Sequence, residues 1–331
     1  MGVHERTNVS VLADACVRDA GQCVHLECGP GTRPGAIIVG HVFGMGALHI
    51  AMRHYEWLAQ RYRVAEDAKI FLFGFSRGAM IARVLADLIC NCGIPSDAYD
   101  ARKVFKWWMG GHYPEAIAAF RKEKRLHPGC VEYLGVWDTV DSSVGIDGEK
   151  YRRVPGGVAQ ARHAVARDER RCFFSYEPME GRNAEEMVFP GSHSDIGGIY
   201  PDNHEIADLT LGWIAKPAVE RGLCIRSGFA LKEDADPESV VLHDSQNDAT
   251  NVWGILPSPR RILSHLRQHP LCGILPDPFP EENAALVSSS SVKRPRTALT
   301  GLSPLSAAPF SLSVRRPIGP LRRNTSRRCG V

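Results

Sequence analysis

Ser76 stands between two glycines, in Gly74-Phe75-Ser76-Arg77-Gly78, where an apolar run gives way to a helical pattern. A serine hydroxyl is a poor nucleophile unless a base takes its proton and an acid orients that base. The residues to seek downstream are therefore a carboxylate and a histidine. Asp195 in "GSHSDIGG" and Asp138 at the end of "LGVWD" are the candidate acids, and His243 in "SVVLHDSQND" is the candidate base. His193, His163 and His204 compete with it. His163 falls in a segment that reads as helix and His204 in a Pro-Asp-Asn-His turn, while His193 lies two residues from Asp195, on the same face of an extended chain. His243 leads because of its order in the chain and because it follows a short β-branched run. Two other readings stay open. The glycines also suit a turn that only lets two stretches of backbone pass closely. Asp138, His193, Asp195 and His243 together could ligate a divalent metal in a phosphoesterase-like site, although no compact motif such as H-x-x-x-H is present.

For nucleophilic chemistry the serine must sit on a cramped strand-to-helix turn, and the flanking sequence supplies both elements. "KIFLFG" is a continuous apolar run, the pattern of a strand covered on both faces of a parallel sheet, and "AMIARVLADLI" has helical spacing. The backbone N–H of Arg77, opening that helix, would face the oxyanion of a tetrahedral intermediate. Elsewhere, Thr7 reads as the N-cap of a helix over "NVSVLADACVRDA", "CVHLE" as a short strand, and Leu48 to Tyr62 as a helix. "VEYLGVWD" is a second buried strand, "PGGVAQARHAVARDE" a helix, and "EMVFPGSHSDIGG" a strand running into a glycine-rich loop. "IADLTLGWIAKPAVERGL" reads as a helix disturbed at Pro217. Trp107, Trp108, Met109, Tyr113, Ile117 and Phe120 are either an apolar cap over the site or core. Strands alternating with helices predict a doubly wound, mostly parallel sheet with helical insertions.

The 331 residues carry a net charge of +3. Nine Lys and Arg, with no Asp or Glu, lie from Ser288 onward, so the preceding body is mildly acidic. That Ser/Pro/Arg-rich end has no sustained period and reads as disordered over 281–331. Its charge would suit weak contact with an anionic membrane or a nucleic acid. The ten cysteines form no C-x-x-C pair, which fits reduced thiols, and the polar start "MGVHERTNVS" is no secretory leader. No run is apolar enough for a membrane span. The expectation is a soluble protein, cytoplasmic or exported without a cleavable signal peptide.

Taken in order, "IFLFGFSRGAMIARVLADLI", "LGVWDTVDSSVG", "HAVARDERRCFF", "EMVFPGSHSDIGGIYPD" and "LHDSQND" resemble the motifs of one family. It is the α/β-hydrolase family of type VI secretion lipase effectors and their bacterial and fungal relatives. "RTNVSVLADA" and "CGPGTRPG" are similar to its N-terminal segments, and the resemblance extends over residues 5 to about 265. It implies an α/β-hydrolase-like fold and a Ser76–Asp195–His243 triad, with ester hydrolysis of a lipid or phospholipid. Such a triad needs no metal or organic cofactor, and no obligate protein partner is expected. Family members usually begin with a strand ending in Asp-Gly-Thr, just before the Thr-Asn-Val helix. Met1 falls after that point, so residues 1–280 are read as an N-terminally truncated catalytic domain, and the upstream gene is expected to encode the strand. Loss of an oxyanion donor from that loop would lower the rate by about 10²–10³. The alternative expectation is a catalytically impaired fold that serves as a binding protein.

Overall fold

The structure is a computed structural model that describes residues 6–19, 21–27, 42–62, 68–111, 114–123, 125–140, 146–171, 174–245, 266–275 and 310–315. In chain order the first elements are helix α1 (Asn8–Ala15), strand β1 (Gln22–Glu27), α2 (Val42–Arg61), β2 (Lys69–Phe75) and α3 (Arg77–Cys92). Next come β3 (Ile94–Pro95), α4 (Ala98–Met109), α5 (Pro114–Lys122), β4 (Leu126–His127) and β5 (Tyr133–Trp137). The rest are β6 (Ala161–Ala166), β7 (Ala184–Phe189), α6 (His193–Gly197), α7 (Glu205–Glu220), β8 (Arg267–Gln268), α8 (Leu271–Ile274) and β9 (Phe310–Arg315).

Seven strands make the main sheet in the order β1-β9-β2-β5-β6-β7-β8, and β3 pairs with β4 apart from it. Neighbours from β2 to β8 are parallel, whereas β9 runs antiparallel to both β1 and β2. The continuous apolar run of β2 has a simple cause. Ile70 and Leu72 enter a core shared with α2, α3 and α4, while Phe71, Phe73 and Phe75 enter the opposite core with α1 and α7. Helices on both faces make this an α/β-hydrolase-like, doubly wound and mostly parallel sheet, as the alternation of elements predicts.

Local chemistry explains the helix boundaries. Thr7 and Ser10 exchange the two bonds of a capping box at the start of α1. α7 runs through Pro217 without a break. Proline offers no N–H to the carbonyl of Trp213, and Arg162 Nη1 donates to that oxygen instead, at 2.8 Å. Trp108, Ile117 and Phe120 join the core and Trp107 packs against it, which makes this insertion chiefly core, with Met109 exposed. Tyr113 lies outside the described residues.

Two expectations are corrected. The segment read as a helix around His163 contains β6, paired in parallel with β5 and β7. Its alanines favour helix locally, but they fit equally well where both sheet faces are tightly covered, and the tertiary setting decides. The tail read as disordered contributes β9, which fills the slot between β1 and β2. Among the described residues no cysteine is joined to another, and no helix is long and apolar enough to cross a membrane.

Candidate active site

In a parallel sheet the chain leaves every strand at the same edge, so loops after β2, β5, β6 and β7 gather there. Ser76, Asp138, Glu169, His193 and Asp195 all lie on those exits. Ser76 follows β2 with φ 58° and ψ −124°, and its N–H donates to Trp137 O at 2.9 Å. A non-glycine residue there is strained, at a cost on the order of 1–3 kcal/mol. The flanking glycines are needed for space. A Cβ on Gly74 would lie 2.2 Å from the carbonyl oxygen of Gly78. Ser76 thus sits on a sharp strand-to-helix turn whose two glycines touch. Arg77 opens α3, where the first backbone N–H groups lack intrahelical partners. Its buried side chain has its pKa pushed down to about 10 by desolvation.

Asp195 belongs to the first turn of α6, not to a loop. Its Oδ2 accepts from Ser192 N at 2.8 Å, Ser192 Oγ at 2.9 Å and His243 N at 3.2 Å. Its Oδ1 meets His243 Nδ1 at 2.6 Å. Gly191 makes this possible, because φ is 107° there and a Cβ would lie 2.8 Å from that of Asp195. His243 lies on an irregular segment, not at a strand end as the β-branched run suggested. Tyr200 stacks on its ring at 3.8 Å, and its Nε2 meets Asp202 Oδ2 at 3.0 Å. The hydrogen bond to Asp195, with help from Asp202, pushes the His243 pKa up to about 9.

Asp138 pairs with a different histidine. Its Oδ2 lies 2.5 Å from His193 Nδ1, and its Oδ1 accepts from Ala166 N at 2.9 Å. The His193 ring packs between Phe75, at 4.5 Å, and Phe174, at 4.8 Å. Burial lowers the His193 pKa despite Asp138. Asp138 adopts φ 41°, a left-handed conformation that aspartate tolerates better than most residues. Four residues that a metal site would need to share are thus divided into two Asp–His pairs, and among the described residues they do not converge as one ligand set. His163 is fully buried, with Nε2 accepting from Thr139 N at 2.9 Å and Nδ1 meeting Glu186 at 2.7 Å. His204 occupies the N-cap position of α7. Neither reaches the Asp195–His243 pair.

Sequence reading did not find Tyr200, Asp202 or the buried Glu169. Glu169 accepts from Arg171 Nη2 at 2.9 Å, from Ser245 Oγ at 3.0 Å and from His193 N at 3.2 Å. It ties the α6 turn to the segment that carries His243.

The fold is of the α/β class, a mostly parallel sheet covered by helices on both faces. A family model described as "T6SS, Phospholipase effector Tle1-like, catalytic domain" matches residues 2–217, and the chain belongs to that family. A yeast relative, "Uncharacterized protein YEL023C" of Saccharomyces cerevisiae (strain ATCC 204508 / S288c), is 32% identical over 122 residues, covering 32% of this chain and 18% of that protein. The solved "Structure of the Tle1 effector bound to the VgrG spike from the Type 6 secretion system" matches at 24% identity and TM-score 0.29, covering 49% of this chain and 32% of that one. An uncharacterized protein from Pseudomonas aeruginosa matches at 18% identity and TM-score 0.30, covering 56% and 28%. The chain spans about a third or less of the length of each of these relatives.

Proposed function

We propose that the protein is a serine hydrolase of carboxylic esters, acting on a lipid or phospholipid. Ser76 Oγ attacks the acyl carbon as His243 takes its proton, and Asp195 fixes the imidazole with Nδ1–H donated to the carboxylate. The tetrahedral oxyanion is met by the Arg77 N–H, and the proton returns from His243 to the leaving alcohol. Water then repeats the sequence on the acyl-enzyme and releases the acid. Membership of a phospholipase effector family supports the substrate class. The observation that carries the reading is the Asp195–His243 pair, held at 2.6 Å on the same sheet edge as the strained Ser76 turn.

A fluorophosphonate probe tests it. The wild type should label, Ser76→Ala should not, and Asp195→Asn should lower kcat by about 10⁴ through the wrong imidazole tautomer. A folded wild type that fails to label overturns the proposal. One observation favours a second reading, an impaired hydrolase fold retained for binding. His243 Nε2, the atom that must reach Ser76, is engaged by Asp202. Lipid binding by an unlabelled but folded protein would support that reading.

A further inference from the structure

β1 is an edge strand, and its residues His25 and Glu27, two apart, share the face that packs against α2. From α2, His54 meets them. The two Nδ1 atoms of His25 and His54 lie 3.2 Å apart, and His25 Nε2 is 3.8 Å from Glu27 Oε1. Each of the three residues can present one ligand atom so that all lie within 4.8 Å of one another. Two nitrogens bound at about 2.0–2.1 Å to a tetrahedral zinc stand about 3.3–3.4 Å apart, so the histidine spacing already fits. The 3.8 Å contact of Glu27 is with the other ring nitrogen of His25, so joining the Nδ1 pair at one metal requires the glutamate side chain to swing from Nε2 toward Nδ1, within a group whose ligand atoms already lie within 4.8 Å of one another.

We propose that His25, His54 and Glu27 bind a divalent first-row transition metal of the zinc class, with water at the fourth position. His54 is fully buried, Trp57 stacks on the His25 ring at 5.0 Å and 11°, and both rings are thereby fixed. Arg53 Nε donates to both Glu27 oxygens at 3.1 Å, and Arg53 Nη2 donates to Oε2 at 2.6 Å. A carboxylate has about four lone-pair sites, so Oε1 can serve a metal while Arg53 orients the group from outside, as outer partners of metal ligands do. The donor set of two imidazoles and one carboxylate selects zinc or its neighbours over calcium or magnesium. The site is distinct from the proposed catalytic one, because β9 separates β1 from β2. Its effect would be to clasp the edge strand onto α2.

The test is a titration of the full-length, chelator-treated protein with Co²⁺, followed by competition with Zn²⁺. One equivalent of Co²⁺ should bind with a tetrahedral d–d spectrum and no thiolate charge-transfer band, and Zn²⁺ should displace it. His25→Ala and His54→Ala should each weaken binding by more than the roughly 10–100-fold expected of an outer-shell change. Ser76→Ala should bind as the wild type does, which separates this site from the proposed hydrolase. His25→Ala keeps the test decisive should the buried His54→Ala fail to fold. No stoichiometric uptake, uptake that survives His25→Ala, or a thiolate band would overturn the proposal and leave the histidines as a hydrogen-bonded pair.

Discussion

Two Asp–His pairs lie at one sheet edge, and their surroundings drive them apart. His193 is sealed between aromatic rings and its pKa is lowered by burial, whereas the partly exposed His243 touches two carboxylates and is pushed up to about 9. In the proposed mechanism the pair with the raised value does the acid–base work at an accessible atom, and the other is a dry strut joining β5 to α6. A general base must be neutral, so activity should climb with pH through about 9 while Asp202 holds the ring. Asp202→Asn removes one carboxylate, lowers the His243 pKa and should move this acid limb toward lower pH. The pH profile of kcat/KM and an NMR titration of the ring would report it, and an unmoved limb would show that Asp202 does not bear on the base. Stability runs in the opposite direction with pH. A raised histidine pKa contributes stability that is full below the unfolded value of about 6.5 and fades as pH rises through the folded one.

At the scale of elements, the short helix α6 carries Asp195, and Asn8 of α1 holds it in place. Asn8 Nδ2 lies 3.0 Å from Ile196 O, 2.8 Å from Ala207 O and 3.0 Å from Thr210 Oγ1, so one amide ties α1 to both α6 and α7. Asn8→Ala leaves buried acceptors without that donor and should destabilise the fold by about 1–3 kcal/mol. It should also depress ester hydrolysis at temperatures where the protein remains folded. Thermal melting alongside an activity assay checks both, and full activity would show that α6 keeps its place without Asn8. Much of this arrangement is legible in the residues. The glycines around Ser76, the buried pattern of β2 and the Thr7 cap are local signals, and each corresponds to a feature of the fold. β6 is not, because Ala161 to Ala166 takes its conformation from neighbours on both sides and not from its own preference. Asp202 and His243 meet across 41 positions, and no spacing rule connects them.

For the molecule as a whole, the unusual element is β9. "FSLSVR" does alternate apolar and polar residues, the signature of a strand, but the Ser/Pro/Arg-rich surroundings hide it. Ser313 is buried, so this strand is covered even where its sequence is polar. Because β9 is flanked on both sides, every interior N–H in it faces a neighbouring strand. Ser313→Pro should therefore remove a ladder bond and destabilise the protein by at least about 2–3 kcal/mol. Urea unfolding measures this directly, and an unchanged midpoint would mean that β9 adds nothing to the stability of the sheet.

The position of β9 also sets a timetable. A ribosome emits β1 and β2 early, and nearly all the remaining elements follow before Phe310 to Arg315 appears. During translation the facing edges of β1 and β2 must wait for the strand that joins them. The sheet to which the Ser76 turn belongs is completed only when residue 315 clears the exit tunnel. Nascent chains stalled before that point should stay sensitive to protease along β1, and chains released after it should not.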